Sequence, residues 1–344
     1  MPTHEDFMSR CLELAAMGTG HVSPNPVVGA VLVYNGRIIG EGYHERYGGP
    51  HAEVHCINSV KEEDQHLVKE ATMYVSLEPC AHHGKTPPCA DLIIDCGIRK
   101  VATGSSDPNP LVAGRGITKL RDAGIDVTEH VLRRECDHIN RRFVTFHTAH
   151  RPYIILKWAQ SADGYFAPEA GKQQWLTNEY SRKLVHKWRT EEDAILVGTR
   201  TALIDDPQLT ARLWPGRSPV RILIDMNLKV PTASKIYDDD AMTIVYNRIK
   251  EGLELGTVYV KLNDGEVPAQ IASDLYHRKI LSVIIEGGAH TLEQFIAAGL
   301  WDEARIFTSS VLLSAGIRAP QAKGEAAEMQ QIADDTLIIK MNNL

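Results

Sequence analysis

The chain has 344 residues, 43% hydrophobic and 24% charged, with a formal net charge of −7 and a pI near 6.1. This is the balance of a globular protein long enough for two domains. The acidic excess argues against a protein whose main task is gripping a nucleic-acid backbone, and no run reaches the roughly 18 apolar residues of a membrane span.

In chain order, residues 5–17 place Phe7, Met8, Cys11, Leu12 and Ala15 on one helical face. VVGAVLVY, the turn pair Asn35-Gly36 and RIIGEGYH then read as a β-hairpin. A helix is expected to begin near His51, and TMYVSLE (72–78) reads as a buried strand. Pro88 opens a helix that Gly97 ends, RKVATGS is a strand, GRGITKLRDAG a helix closed by Gly124, and IDVTEHVL a strand. Alternating strands and helices predict an α/β layered domain on a largely parallel sheet. FVTFHTAHRPY (143–153) reads as a junction, giving domains 1–147 and 148–344. Beyond it, YIILKWA, DAILVG, VRILID, MTIVYN, TVYVK and LSVIIEGG read as strands, with helices at 178–190, 268–278 and 290–299. ARIFTSSVLL and TLIIKM read as a terminal antiparallel pair, and EMQQIADD (328–335) as a merely polar stretch.

Composition divides at the same place. All six cysteines lie in the first 136 residues, and all five tryptophans fall after residue 157. The first residues lack the basic, apolar, small-residue order of a secretory signal, so a cytoplasmic protein is expected. Disulfides are not expected in such a chain.

Two stretches carry metal chemistry: GGPHAEVHC (48–56) and SLEPCAHHGKTPPC (76–89). Zinc-dependent nucleobase deaminases use the order H-x-E, then P-C, then a second cysteine. Here these are His51, Glu53, Pro79-Cys80 and Cys89. Three protein ligands leave a tetrahedral position open for water, whose pKa zinc lowers towards about 7. Glu53, two residues beyond its ligand, is placed to take the water's proton and return it to the ring and the departing amine. Both ligand groups are expected at helix N-termini, where the dipole favours thiolate. His55, one turn from His51, is a rival imidazole that a three-ligand catalytic site leaves out.

The chain resembles the bifunctional riboflavin-biosynthesis deaminase–reductases over nearly its whole length. Eight residues, AHHGKTPP, separate the two cysteine ligands, where most nucleobase deaminases have two. That longer loop, with SPNPVVGAV, GYHERYGGPHAE and DPNPLVAGRGI, is similar to the family's motifs. The resemblance implies a cytidine-deaminase-like three-layer domain acting on a diaminopyrimidinone that carries a phosphoribosylamino group. Asn25 would bond the pyrimidine edge, while His44, His82, Lys85, Asp107 and Asn109 would line the pocket. A loop holding His82, His83 and Lys85 is a plausible anion site in an acidic protein. Read without the family, Asn25 and Asn109, each followed by proline, serve equally as turn formers.

The second half resembles the family's reductase domain, a dihydrofolate-reductase-like α/β fold, through ILKWAQSADG, GKQQWLT, ILVGTRTALIDDPQLTAR, RILID and IIEGG. No G-x-G-x-x-G links a strand to a helix, which disfavours a Rossmann fold. Glu286-Gly287-Gly288 instead opens a helix after a buried strand, either as a seat for a pyrophosphate or as a tight turn. The resemblance implies NADPH against Ala159, Trp175, Thr201, Asp205 and Gly288, and the phosphoribosyl substrate against Gln173, Arg189, Leu209, Arg212 and Glu286. Hydride would reach ribose C1′ in its ring-opened, imine-like form, with Lys157 and Glu286 as candidates for the accompanying protonation. Two departures stand out: Gln173 replaces the family's usual small serine, and LLSAGIRAP (312–320) lacks a glycine pair often found there. The facing loop is therefore expected to close differently, and a deaminase with a weak or lost reductase is the alternative function. A homo-oligomer is expected, with a small phosphorylated pyrimidine as substrate and neither nucleic acid nor membrane as partner. A tRNA or free-cytosine deaminase fits the acidic charge and long ligand loop less well, and a structural zinc site would show four protein ligands.

Overall fold

The computed structural model describes residues 2–81, 87–109, 112–168 and 175–342. The chain divides into two compact units, Met1–His150 and Arg151–Leu344. Among the described residues no helix is long and apolar enough to cross a membrane.

In the first unit, α1 (His4–Ala16) starts from a capping box. The Thr3 hydroxyl accepts the Asp6 N–H, and the Asp6 carboxylate accepts the Thr3 N–H. Strands β1 (Gly29–Tyr34) and β2 (Arg37–Tyr43) form the expected hairpin. Asn35 and Gly36 both have positive φ (48° and 77°), as a two-residue hairpin turn requires. There follow α2 (Ala52–Asn58), a 3-10 turn (Glu62–Glu70), β3 (Thr72–Leu77), α3 (Cys89–Asp95), β4 (Lys100–Ser105), α4 (Arg115–Asp122), β5 (Asp126–Thr128), α5 (Arg133–Ile139) and α6 (Arg141–Ala149).

The sheet order is β2-β1-β3-β4-β5. Only β3-β4 and β4-β5 are parallel, while β1 runs antiparallel to both neighbours. The expectation of a largely parallel sheet is thus corrected to a mixed one, because the hairpin enters the sheet as a unit. The strand expected over 125–132 shortens to β5, and α6 runs through most of the stretch read as a junction. Side chains alternate across the sheet. Ala30, Leu32, Met73, Val75 and Val101 pack with α2, α3 and α4, whereas Val31, Val33, Tyr74 and Ala102 pack with α1 and α5. The result is three layers with a core on each face.

The second unit comprises β6 (Tyr153–Gln160), β7 (Tyr165–Ala167), α7 (Glu179–Glu191), β8 (Ala194–Gly198), α8 (Thr199–Asp205), β9 (Val220–Ile224), β10 (Thr243–Asn247), β11 (Gly252–Glu254) and β12 (Thr257–Lys261). It continues with α9 (Val267–His277), β13 (Ser282–Ile285), α10 (Ala289–Ala297), β14 (Glu303–Thr308), β15 (Ile317–Arg318), β16 (Glu325–Ile332) and β17 (Asp335–Met341). Ten strands form one sheet in the order β11-β12-β10-β9-β8-β13-β6-β14-β17-β16, parallel from β12 to β14. Helices α9 and α10 cover one face, and α7 and α8 the other. The terminal antiparallel pair is β14-β17. The polar stretch EMQQIADD, however, supplies most of β16. This edge strand is exposed along nearly its whole length, so it carries no apolar alternation to betray it.

Candidate metal centre and second site

His51 occupies the N-cap of α2 in an extended conformation, Cys89 is the first residue of α3, and Cys80 lies just beyond β3. Two helix starts and a strand end therefore converge. His51 Nδ1 lies 3.6 Å from Cys80 Sγ and 3.3 Å from Cys89 Sγ, and the three donor atoms sit within 4.8 Å of one another. A tetrahedral zinc with Zn–S of about 2.3 Å and Zn–N of about 2.0 Å separates N from S by about 3.5 Å. These donors fit zinc without rearrangement. His55 is not part of the cluster.

The two thiols contend for one proton. The hydrogen bond from Cys89 brings Cys80 down to about 4, and the same contact drives Cys89 upward. A dication resolves that conflict by favouring both thiolates. The Cys89 N–H also donates to Cys80 Sγ at 3.3 Å. Glu53, in the first turn of α2, is 3% exposed, and burial, then the nearby Cys80, push its carboxyl above the ordinary carboxylate range.

His44 is also buried, its ring 5.4 Å from that of His51 in an edge-on arrangement. Its Nδ1 meets the Pro50 carbonyl at 2.9 Å, which can only accept, so Nδ1 carries the proton. Nε2 is then free to accept from the Asn25 amide nitrogen at 3.1 Å, leaving the Asn25 carbonyl oxygen as an acceptor. The Asp107 carboxylate accepts the Asn109 N–H at 2.8 Å, closing a side-chain turn. His82, Lys85 and Gln173 lie outside the described residues. The structure brings His44 beside the His51 ring and Asn25 to His44, and Asp107 and Asn109 to each other.

In the second unit, β6 and β13 pair in parallel with Leu156 opposite Ile285, so Lys157 and Glu286 follow side by side. Lys157 Nζ lies 4.0 Å from Glu286 Oε2. From α7, Arg189 Nη2 donates to Glu286 Oε2 at 2.8 Å and Nε to Oε1 at 3.4 Å, while Nη1 reaches the Thr210 carbonyl beside Leu209. Burial would raise the Glu286 carboxyl, but Arg189 and Lys157 outweigh it and hold it at about 2. Burial lowers the Lys157 ammonium.

Sequence reasoning missed His186, one turn before Arg189 on the same face of α7. It is 5% exposed, its Nδ1 accepts the Leu213 N–H at 3.4 Å, and burial with the charges of Arg189 and Arg212 keeps its pKa down at about 4. Spacing from Arg189 was the available signal.

Gly288 is the N-cap of α10, whose start no side chain caps. A Cβ at Gly288 would lie 3.3 Å from Thr201 Oγ1, so the starts of α8 and α10 meet in a cradle that a side chain would fill. Ala159 lies on β6, and Asp205 ends α8 with its carboxyl raised by burial. Trp175 is 61% exposed, with the Arg182 guanidinium 5.3 Å from its ring centre. Arg212 is exposed. The loop at 312–320 is tied to Asp163. Ser314 takes a left-handed φ of 63°, and the Leu313 and Ser314 N–H groups both donate to the Asp163 carboxylate.

Residues 1–105 match the family described as the cytidine and deoxycytidylate deaminase zinc-binding region, and residues 152–337 match the RibD C-terminal domain. The chain is 42% identical over 319 residues to the riboflavin biosynthesis protein RibD of Aquifex aeolicus, covering 91% of this chain and 88% of that one. To RibD of Escherichia coli K12 it is 37% identical, covering 91% and 89%. A crystal structure from Thermotoga maritima, a diaminohydroxyphosphoribosylaminopyrimidine deaminase/5-amino-6-(5-phosphoribosylamino)uracil reductase, superposes with a TM-score of 0.91 at 38% identity over 98% of both chains.

Proposed function

The chain belongs to the RibD family of riboflavin-biosynthesis deaminase–reductases, and from that premise we propose how its own residues divide the two reactions. The protein is a bifunctional enzyme, a zinc hydrolase and an oxidoreductase, serving two successive steps of riboflavin biosynthesis.

The first step is hydrolysis of the ring amine of the diaminopyrimidinone phosphoriboside. His51, Cys80 and Cys89 hold zinc, which when bound supplies a water ionisable near neutral pH. Glu53 moves the protons. Its burial keeps the carboxyl ready to hold one, so it can accept from water and deliver to the ring and then to the leaving amine. Asn25, its N–H groups oriented by His44, offers its carbonyl oxygen to a donor on the pyrimidine edge. The family's pattern assigns His82, Lys85, Asp107 and Asn109 to the same substrate.

The second step reduces the ribosyl group to ribityl, with a nicotinamide cofactor supplying hydride. We take this cofactor to be NADPH, seated along Ala159, Trp175, Thr201, Asp205 and Gly288. Arg189 and Arg212 take the phosphoribosyl group, since a guanidinium fork matches phosphate oxygens in pairs, and the family's pattern assigns Gln173 and Leu209 to the same substrate. Lys157 is the proton donor for ring opening. Burial lowers its pKa and Glu286 fixes its position.

The observation that carries this reading is the set of donor separations at His51, Cys80 and Cys89, with a buried Glu53 beside it. Glu53→Gln keeps the shape and removes the proton carrier. Ammonia release should fall at least about a thousandfold, with zinc content and reduction of the deaminated intermediate unchanged. Loss of zinc in that variant would contradict the role given to Glu53.

A further inference from the structure

The residue that follows β3, Glu78, is 4% exposed. A carboxylate buried so deeply needs hydrogen-bond donors. Its Oε2 accepts the Gly114 N–H at 2.9 Å and the Asp107 N–H at 3.3 Å. Its Oε1 accepts the Gly116 N–H at 2.9 Å and the Ile117 N–H at 3.4 Å. All four donors are main-chain groups of one segment, 107–117, far from Glu78 in sequence.

The next residue makes a second contact with that segment. A Cβ at Gly116 would overlap the carbonyl oxygen of Pro79, so the two backbones touch where any side chain would part them. Glu78 and Pro79 immediately precede Cys80, a metal donor. The covalent path Cys80–Pro79–Glu78 therefore continues by hydrogen bond to Asp107, and from the Asp107 carboxylate to the Asn109 N–H.

We propose that Glu78 is a positioning residue for deamination. By binding the main chain of 107–117, it fixes Asp107 and Asn109 relative to the metal donors, and so fixes where the pyrimidine lies. This rests on reading Asp107 and Asn109 as contacts to the substrate. A carboxylate that merely capped α4 would affect folding and leave substrate binding alone.

The test is Glu78→Gln in the full-length, zinc-loaded chain. Glutamine has the same length, but it turns an NH₂ group towards two N–H donors and pushes part of the segment away. The KM for the phosphoriboside in ammonia release should rise about tenfold, with kcat within about threefold of wild type, bound zinc retained and reduction of the deaminated intermediate unchanged. An unchanged KM, a loss confined to kcat, or loss of zinc would overturn the proposal. If this variant does not accumulate in soluble form, Gly116→Ala, which parts the same backbones and keeps the carboxylate, is read by the same criteria. Asn109→Ala is measured in parallel. A normal KM there removes the premise and the proposal with it. A raised KM there beside a normal KM in Glu78→Gln overturns only the role of Glu78.

Discussion

The imidazole of His186 lies among Arg189, Arg212, Lys157 and Glu286, and burial and the first two of these hold its pKa at about 4 against an ordinary 6.5. Between these values the unfolded chain binds a proton that the fold refuses. Stability of the second unit should therefore rise with pH across this window and be lost as pH falls through it. All five tryptophans lie in that unit, so their fluorescence reports its unfolding. His186→Asn should flatten the difference in urea midpoint between about pH 5 and about pH 7; an unaltered difference would mean that this imidazole is not the group responsible. Residues differed in how legible they were. The convergence of His51, Cys80 and Cys89 could be expected from the chain because zinc chemistry dictates both residue type and order. Glu78 could not, since its partners are backbone amides 29 to 39 residues away, and an amide has no sequence signature.

At the scale of elements, the second site is assembled where strand ends turn into helices. Gly198 joins β8 to α8, and a Cβ there would stand 2.5 Å from Thr291 Oγ1 in the first turn of α10. The two turns that cradle the proposed cofactor thus pack on each other through one missing side chain. Gly198→Ala should destabilise the second unit by about 1–3 kcal/mol, and adding Thr291→Ala should return most of that loss, since its own Cβ would be an ordinary 3.8 Å away. Additive losses in tryptophan-detected urea unfolding would show that the two turns do not meet as described. Elements with an apolar rhythm, such as α1 and β6, were evident from the sequence. The edge strand β16 and the short helix α8 were not, because exposure or brevity leaves no periodicity to read.

At the scale of the whole molecule, one chain carries two compact units with unlike chemistry, a metal hydrolase site and a cluster of buried cations and carboxylate. Cysteines gather in the first and tryptophans in the second, which is why the division showed in composition. The pairing sense of the first sheet did not show there, because hairpin and crossover both present runs of apolar residues. We propose that the His51–Cys80–Cys89 centre performs deamination and that the second unit reduces its product. The most direct test follows ammonia release and NADPH oxidation separately on the diaminopyrimidinone phosphoriboside, before and after a chelator strips the metal. The stripped protein should release no ammonia and oxidise no NADPH on that substrate, yet still oxidise NADPH when given the deaminated intermediate. Ammonia release that survives removal of the metal would mean that this centre does not perform the deamination.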